Sequence, residues 1–241
     1  MKEFIEAFKN TSYYENIFKF NPTEIVFIYV SGSMLIDVTD DRSDYDIVVY
    51  TIGGEFIDAS QYEYLMYRGR KVHWYFRPIN KIFDIDNSPV SSCIGNLFIS
   101  NLCDDFIIYE NPKYKELIDK IHSVKNQLSH ISAYCFFNIQ RDLIERILTE
   151  GKILEDHYTK YLYHLCVGSY YLTNEPLDKD FLVSLKRIRW TPVSDEYKQL
   201  AVNRLRIYKN YLEQNPIDLE DQLKKLYDQL ELEQYEIRCD D

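Results

Sequence analysis

The chain has 241 residues, 46% of them hydrophobic and 15% aromatic, which excludes a disordered or low-complexity segment and allows one large or two small packed domains. A formal charge of −11 excludes a protein that holds duplex nucleic acid by its global field, so RNA or a nucleotide would need a local basic patch. Five cysteines without a Cys-x-x-Cys spacing exclude a disulfide framework or zinc site, and they are expected to be reduced core residues.

Residues 2–10 place Phe4, Ile5 and Phe8 at helical spacing, and Asn10-Thr11-Ser12 ends this short packing helix. Phe18 to Pro22 leads into Ile25-Val26-Phe27-Ile28-Tyr29-Val30, a run with the length and β-branched and aromatic content of a buried strand. Gly32-Ser33 marks a sharp strand-to-helix turn, with Met34, Leu35 and Ile36 as a brief helical stretch. A glycine there lets a phosphate approach the backbone, and the following N–H groups and hydroxyl can hold it at a helix N-terminus. An acidic loop then leads to Asp44-Tyr45-Asp46 and a second buried strand, Ile47-Val48-Val49-Tyr50.

Side chains alternate across a strand, so Asp44 and Asp46 share a face, about 7 Å apart at Cα. Two carboxylates so close repel each other unless a cation lies between them. Hard oxygen donors suit Mg²⁺ or Mn²⁺, which bind through one or two carboxylates together with substrate phosphates. The competing reading is a solvated acidic surface loop over Asp40-Asp41-Arg42-Ser43-Asp44, because Asp-x-Asp alone is common. The haloacid-dehalogenase use of Asp-x-Asp is disfavoured, since there the apolar strand precedes the pair and here it follows.

Gly32-Ser33, a ten-residue spacer, and Asp44-x-Asp46 running into an apolar strand resemble the signature of the polymerase-β-type nucleotidyltransferase superfamily. Within it, the chain is similar to the predicted nucleotidyltransferases often found near RNA ligases and in phage genomes. The resemblance implies transfer of a nucleoside monophosphate from an NTP to an acceptor, with loss of pyrophosphate. It further implies that Gly32 and Ser33 grip the triphosphate while Asp44 and Asp46 hold divalent metal. The acceptor, whether RNA, protein or a small molecule, and the preferred base are not specified by these residues.

Gly53-Gly54 is a turn, and 62–67 with 71–76 read as a hairpin connected through Arg68-Gly69-Arg70. The superfamily's third carboxylate, which ligates a metal and helps deprotonate the acceptor, comes from a strand placed like 71–76. Here that strand carries His73 and no acid. A histidine can serve as ligand or base, its unperturbed pKa being about 6.5, or can be a structural residue between Val72 and Trp74. Asp84, Asp86 and Asp58 are weaker substitutes. Pro89 to Leu102 reads as a helix, Phe106 to Tyr109 as a short strand, and Asn111-Pro112 as the start of another helix.

The resemblance places a domain boundary near 122–126, giving a catalytic domain over 1–124 and a helical domain over 125–241. From Asn126 the pattern is helical, with Leu128, Ile131, Cys135, Ile139, Asp142 and Arg146 along one stripe, broadened by Leu143 and Ile147. After Gly151 comes a helix from Leu154 to Thr173, where Lys160 and His164 lie four apart on one face. By resemblance these are the candidate triphosphate contacts, Lys160 ahead of His164; a solvated lysine is the alternative. Asn174-Glu175-Pro176 breaks that helix, and a basic stretch with Lys186, Arg187 and Arg189 ends at Trp190, either a stacking residue or a packing anchor. Two charge-laced helices over 194–213 and 219–235 follow.

The expected fold is therefore α/β: a small mixed sheet flanked by helices, followed by an all-helical C-terminal domain, with a nucleotide in the cleft between them. Mg²⁺ or Mn²⁺ is the expected cofactor and an NTP the substrate. Met1-Lys2-Glu3-Phe4 lacks the apolar core of a secretion signal, and no segment approaches the roughly 18 apolar residues of a membrane span, so a cytoplasmic location without a membrane partner is expected.

Overall fold

The structure is a computed structural model that describes residues 1–20, 24–54, 57–58, 65–82, 89–153, 156–188 and 192–235. It divides into two compact units: residues 1–84, 98–125 and 223–241 form one, and residues 85–97 and 126–222 form the other.

The first unit is built on a mixed sheet. Its strands are β1 (Glu24–Ser31), β2 (Tyr45–Ile52), β3 (Ile57–Asp58), β4 (Leu65–Tyr67), β5 (Arg70–Pro78) and β6 (Ile107–Glu110). Their order is β3-β5-β2-β1-β6, with β4 also pairing β5. β1 pairs β2 and β6 antiparallel, β2 pairs β5 parallel, and β4 joins β5 as the expected hairpin through Arg68-Gly69. The parallel pairing brings β5 against the Asp-x-Asp strand, so residue 73 lies beside residue 46.

The sheet has two unlike faces. On one, Ile28, Val30, Ile47, Val49, Val72, Trp74 and Phe76 form a core with Phe4, Ile5, Phe8 and Ile17. The last four come from α1 (Lys2–Lys9) and α2 (Ser12–Phe20). The spacing predicts α1 and ends helical structure at Ser12. The chain instead restarts at once, because Thr11 accepts from Tyr14 N through its hydroxyl and so caps the new helix. The opposite face carries the row Ser31, Asp46, His73, then Tyr29, Val48, Tyr75, then Phe27, Tyr50, Arg77. Phe27, Tyr29 and Tyr50 are buried and stacked, with ring centroids 4.9 to 6.1 Å apart.

β5 shows how the pattern makes the faces. Val72, Trp74 and Phe76 are buried while His73, Tyr75 and Arg77 between them are half-buried. β1, by contrast, is buried from Ile25 to Ser31 on both faces, as its unbroken apolar run requires.

Two features of this unit differ from the sequence reading. The stretch after Gly32 is a single 3₁₀ turn, Gly32–Met34, and not an α-helix. Asp37 then enters the left-handed region at φ 55°, which ends any helical run. Cys103 is exposed, whereas Cys93, Cys135 and Cys166 are buried and reduced as expected. It sits between a 3₁₀ turn and the Asp104–Phe106 turn that feeds β6, outside any apolar stripe.

The second unit is helical. α3 (Pro89–Leu97) contributes to it, together with the C-terminal part of α4 (Lys115–Ile139), α5 (Arg141–Glu150), α6 (Asp156–Thr173), α7 (Lys179–Arg187), α8 (Asp195–Gln214) and the start of α9 (Leu219–Leu230). The division between residues 125 and 126 falls within α4. Residues 85–97 group with the helical unit and 223–241 with the sheet unit. Local bonds account for this: Ser129 Oγ donates to the Asn96 carbonyl, and Lys120 pairs with Glu231 at 2.8 Å.

The stripe read as one helix from Leu128 to Arg146 breaks at Gln140, where α5 begins. Gly151 ends α5 in the left-handed conformation, and Asp178 caps α7 by accepting from Phe181 N at 3.0 Å. Arg204 on α8 stacks over Tyr170 at 4.1 Å, donates to Ser169 Oγ at 3.2 Å and pairs with Glu175, tying α8 to α6 and the loop beyond it. Among the described residues, no helix is long and apolar enough to cross a membrane.

Candidate functional site

The candidate site is a row of side chains at the end of the sheet. Ser31 is the antiparallel partner of Asp46, and Asp46 is the parallel partner of His73. Directly paired residues project to the same face, so these three stand side by side on the face away from α1 and α2. Asp44 precedes β2 by one residue, and its Oδ2 lies 3.4 Å from His73 Nε2. The Asp44 and His73 side chains are 39% and 28% exposed, so a ligand can reach both. A contact this open contributes at most about 1 kcal/mol, and its consequence is orientation more than stability.

Gly32 closes the row from below. Its φ is 73°, and a Cβ at that position would run into Asp46 Oδ2 and lie 3.2 Å from Cγ and 3.5 Å from the Asp46 Cβ. Ser33, half-buried, follows it in the 3₁₀ turn. With only one short turn behind them, Gly32 and Ser33 offer individual N–H groups and a hydroxyl to an anion, without a helix dipole.

The loop into Asp44 is fixed by its own polar groups. Asp40 N donates to Ser43 Oγ at 2.8 Å, Ser43 Oγ donates to Asp40 Oδ1 at 3.0 Å, and Arg42 N donates to the same carboxylate oxygen at 3.1 Å. Ser43 is buried, and its carbonyl accepts from Arg70 Nη1 at 3.4 Å. Val38 N donates to the Ser33 carbonyl at 3.0 Å, so both ends of the loop are held. Ser43 and Asp40 were not singled out from sequence, although an Asp three residues before a Ser is a turn signature that points to them.

Behind the row the face is aromatic. The His73 and Tyr75 rings stand 6.4 Å apart and nearly parallel. Deeper in, burial pushes the Tyr29 and Tyr50 phenols above their ordinary range, an effect the Arg77 guanidinium partly opposes in both. These phenols stay neutral.

No family model matches the chain, and no curated protein matches it. Among solved structures, a nucleotidyltransferase-like protein from Exiguobacterium sibiricum is similar at 12% identity and a TM-score of 0.28, over 92% of this chain and 78% of that one. Similarity at that level does not establish a shared fold.

Of the residues named from sequence, the structure brings together Gly32, Ser33, Asp44, Asp46 and His73. The helical unit holds the other two. Lys160 is exposed on α6. His164 is buried, edge-on to the rings of Phe136 and Tyr163, an environment that a packing role explains. Asp84, Asp86, Arg189 and Trp190 lie outside the described residues, as does the side chain of Asp58.

The donor set defines which metal could fit. Among the described residues there is no cluster of three His, Cys, Asp or Glu side chains arranged to hold a metal by protein alone. Two half-exposed carboxylates beside a Gly-Ser turn suit a hard divalent cation that completes its shell with substrate phosphate and water, which is how Mg²⁺ is commonly held. His73 is placed against Asp44 and is better suited to orient that carboxylate, or to accept a proton, than to complete a cage.

Proposed function

We propose that the chain is a metal-dependent nucleotidyltransferase that moves a nucleoside monophosphate from an NTP to an acceptor nucleophile. The observation that carries this reading is the row itself. Asp46 stands across from Ser31, next to the Gly32-Ser33 turn and in register with His73 on the neighbouring strand, and Asp44, just before β2, contacts that histidine. The sequence pattern of these residues, and its resemblance to the polymerase-β-type superfamily, supply the reaction class.

In this reading the Ser33 hydroxyl and the backbone N–H groups at Gly32 and Ser33 receive the β- and γ-phosphates, and the loop bonds of Asp40 and Ser43 hold that turn relative to Asp44. Asp44 and Asp46 are the residues that would hold Mg²⁺, whose charge, when it is bound, stabilises negative charge developing on the α-phosphate and on the leaving pyrophosphate. His73, oriented by Asp44, takes the proton that the acceptor loses as its bond to the α-phosphorus forms and the bond to pyrophosphate breaks. The acceptor belongs to RNA, protein or a small molecule.

A second reading rests on position 73. An imidazole stands where the superfamily pattern calls for a third carboxylate, which favours a nucleotide-binding protein without turnover. One experiment separates the two. The purified chain is incubated with each α-³²P-labelled NTP, Mg²⁺ or Mn²⁺, and cellular RNA and protein. Label transferred to one class of acceptor, and lost in Asp44→Ala, supports the enzyme; metal-dependent NTP binding without transfer supports the second reading, and absence of both refutes the two together.

A further inference from the structure

Gly32 carries a duty that its place in a phosphate-binding turn does not explain. A glycine at φ 73° is usually read as a conformational requirement, and at Gly151, with φ 62°, that reading is complete, since a Cβ there would meet nothing within 4 Å. At Gly32 the same construction runs into a side chain. The obstruction is Asp46, whose Oδ2 occupies the space, with Cγ at 3.2 Å and Cβ at 3.5 Å. Rotation of the carboxylate about its terminal bond moves Oδ2 but leaves Cγ and Cβ where they are. The Cβ contact at 3.5 Å is ordinary, so relief needs the carboxylate to leave its present orientation and Cγ, at 3.2 Å, to give by a few tenths of an ångström, through the Asp46 side chain or the β1–β2 ladder in which Ser31 opposes Asp46.

We infer that the bare Cα of Gly32 is the seat of the Asp46 carboxylate, and that Gly32 is a positioning residue for Asp46. The side of Gly32 that faces Asp46 is filled by the carboxylate, so a phosphate meets this turn through the N–H groups and hydroxyl that follow. Seat and loop divide the work: Asp46 is fixed by packing against Gly32, while Asp44 is fixed by the Asp40–Ser43 turn and by His73. The metal-binding consequence of this seat rests on the function proposed above; the packing itself does not.

The test is a double-mutant cycle between positions 32 and 46, read by thermal unfolding without nucleotide or metal. Left-handed strain alone lowers the melting temperature of Gly32→Ala by about 4 °C in any background. The seat adds to this only while a side chain of aspartate size is present. Gly32→Ala is expected to lose at least about twice as much with Asp46 or Asp46→Asn as it loses with Asp46→Ala. If Gly32→Ala alone fails to fold, recovery of a folded protein in the Asp46→Ala double variant makes the same point. Equal losses in all three backgrounds overturn the inference.

The second readout is Mn²⁺ binding, followed by the electron paramagnetic resonance signal of the free ion. Gly32→Ala is expected to weaken Mn²⁺ at least about tenfold, as Asp46→Asn does, with little further loss when the two are combined. Unchanged Mn²⁺ affinity in folded Gly32→Ala overturns the positioning role. Thermal coupling in a native protein that binds no Mn²⁺ leaves the seat standing and removes the metal-dependent reaction.

Discussion

Asp46 is placed by two neighbours of opposite character, a glycine that makes room for its carboxylate and a histidine paired with it across a parallel ladder. Replacing the carboxylate by an amide keeps the shape and removes the charge, so Asp46→Asn is expected to keep its fold and to lose label transfer by at least about 100-fold. A circular dichroism melt beside the transfer assay checks both halves; undiminished transfer would end the proposed function. Position 73 offers a sharper question. His73→Asp sets a third carboxylate next to Asp44 and Asp46, and like charges that close repel. In EDTA the variant is expected to melt about 2–4 °C below the native protein, and millimolar Mg²⁺ is expected to raise its melting temperature more than that of the native protein. Equal Mg²⁺ responses would show that residue 73 does not face the cation. The Gly-Ser and Asp-x-Asp pairs were legible in sequence because they flank two apolar runs that had to be strands. The nearness of His73 to the Asp pair was legible only through the resemblance, because it depends on the parallel pairing of β2 with β5, which alternation along each strand does not determine.

Elements were legible where one periodicity dominated. β5 announced its faces through strict alternation, and the β4–β5 hairpin through Arg68-Gly69. α2 was missed because Asn10-Thr11-Ser12 reads as a stop, yet the same hydroxyl chemistry starts a helix when its acceptor faces the next amides. The break at Gln140 was also hidden, since Leu143 and Ile147 continue the apolar stripe across it. Capping glycines show what an element end costs. Gly151→Ala forces a side chain into the left-handed region but meets no neighbour, so the expected loss is about 1–2 kcal/mol, seen as a melting temperature lower by about 2–8 °C. Urea unfolding measures it directly. A loss well above that range would mean that the α5 terminus carries packing beyond its cap. Phe76, fully buried between strands and α-helices on the apolar face, belongs to the other class of position, and Phe76→Ala is expected to cost about 3–5 kcal/mol.

At the scale of the whole molecule, both units bury acids that ionise only at alkaline pH. In the helical unit, burial pushes the Cys166 thiol from its ordinary 9.0 up to about 12, and burial likewise holds the Tyr208 phenol well above 10.0. In the sheet unit, burial raises Tyr29 and Tyr50 above 10.0. Each of these groups has a higher pKa folded than unfolded, so the unfolded chain releases its proton first as pH rises. Stability is therefore fully present below the unfolded value and falls as pH climbs toward the folded one. For Cys166 the window runs from about pH 9 to about 12, and the linked loss approaches ~4 kcal/mol across it. The tyrosines add their losses from about pH 10 upward. Urea midpoints measured between pH 8 and 11 are expected to be flat at first and then to drop steeply. Cys166→Ala removes the earliest of these groups. Although it costs some packing at pH 8, it is expected to make the decline between pH 9 and 10 shallower than in the native protein. A decline that keeps its slope in Cys166→Ala would show that the thiol is not held neutral by burial, and would move the origin of the alkaline transition to the tyrosines.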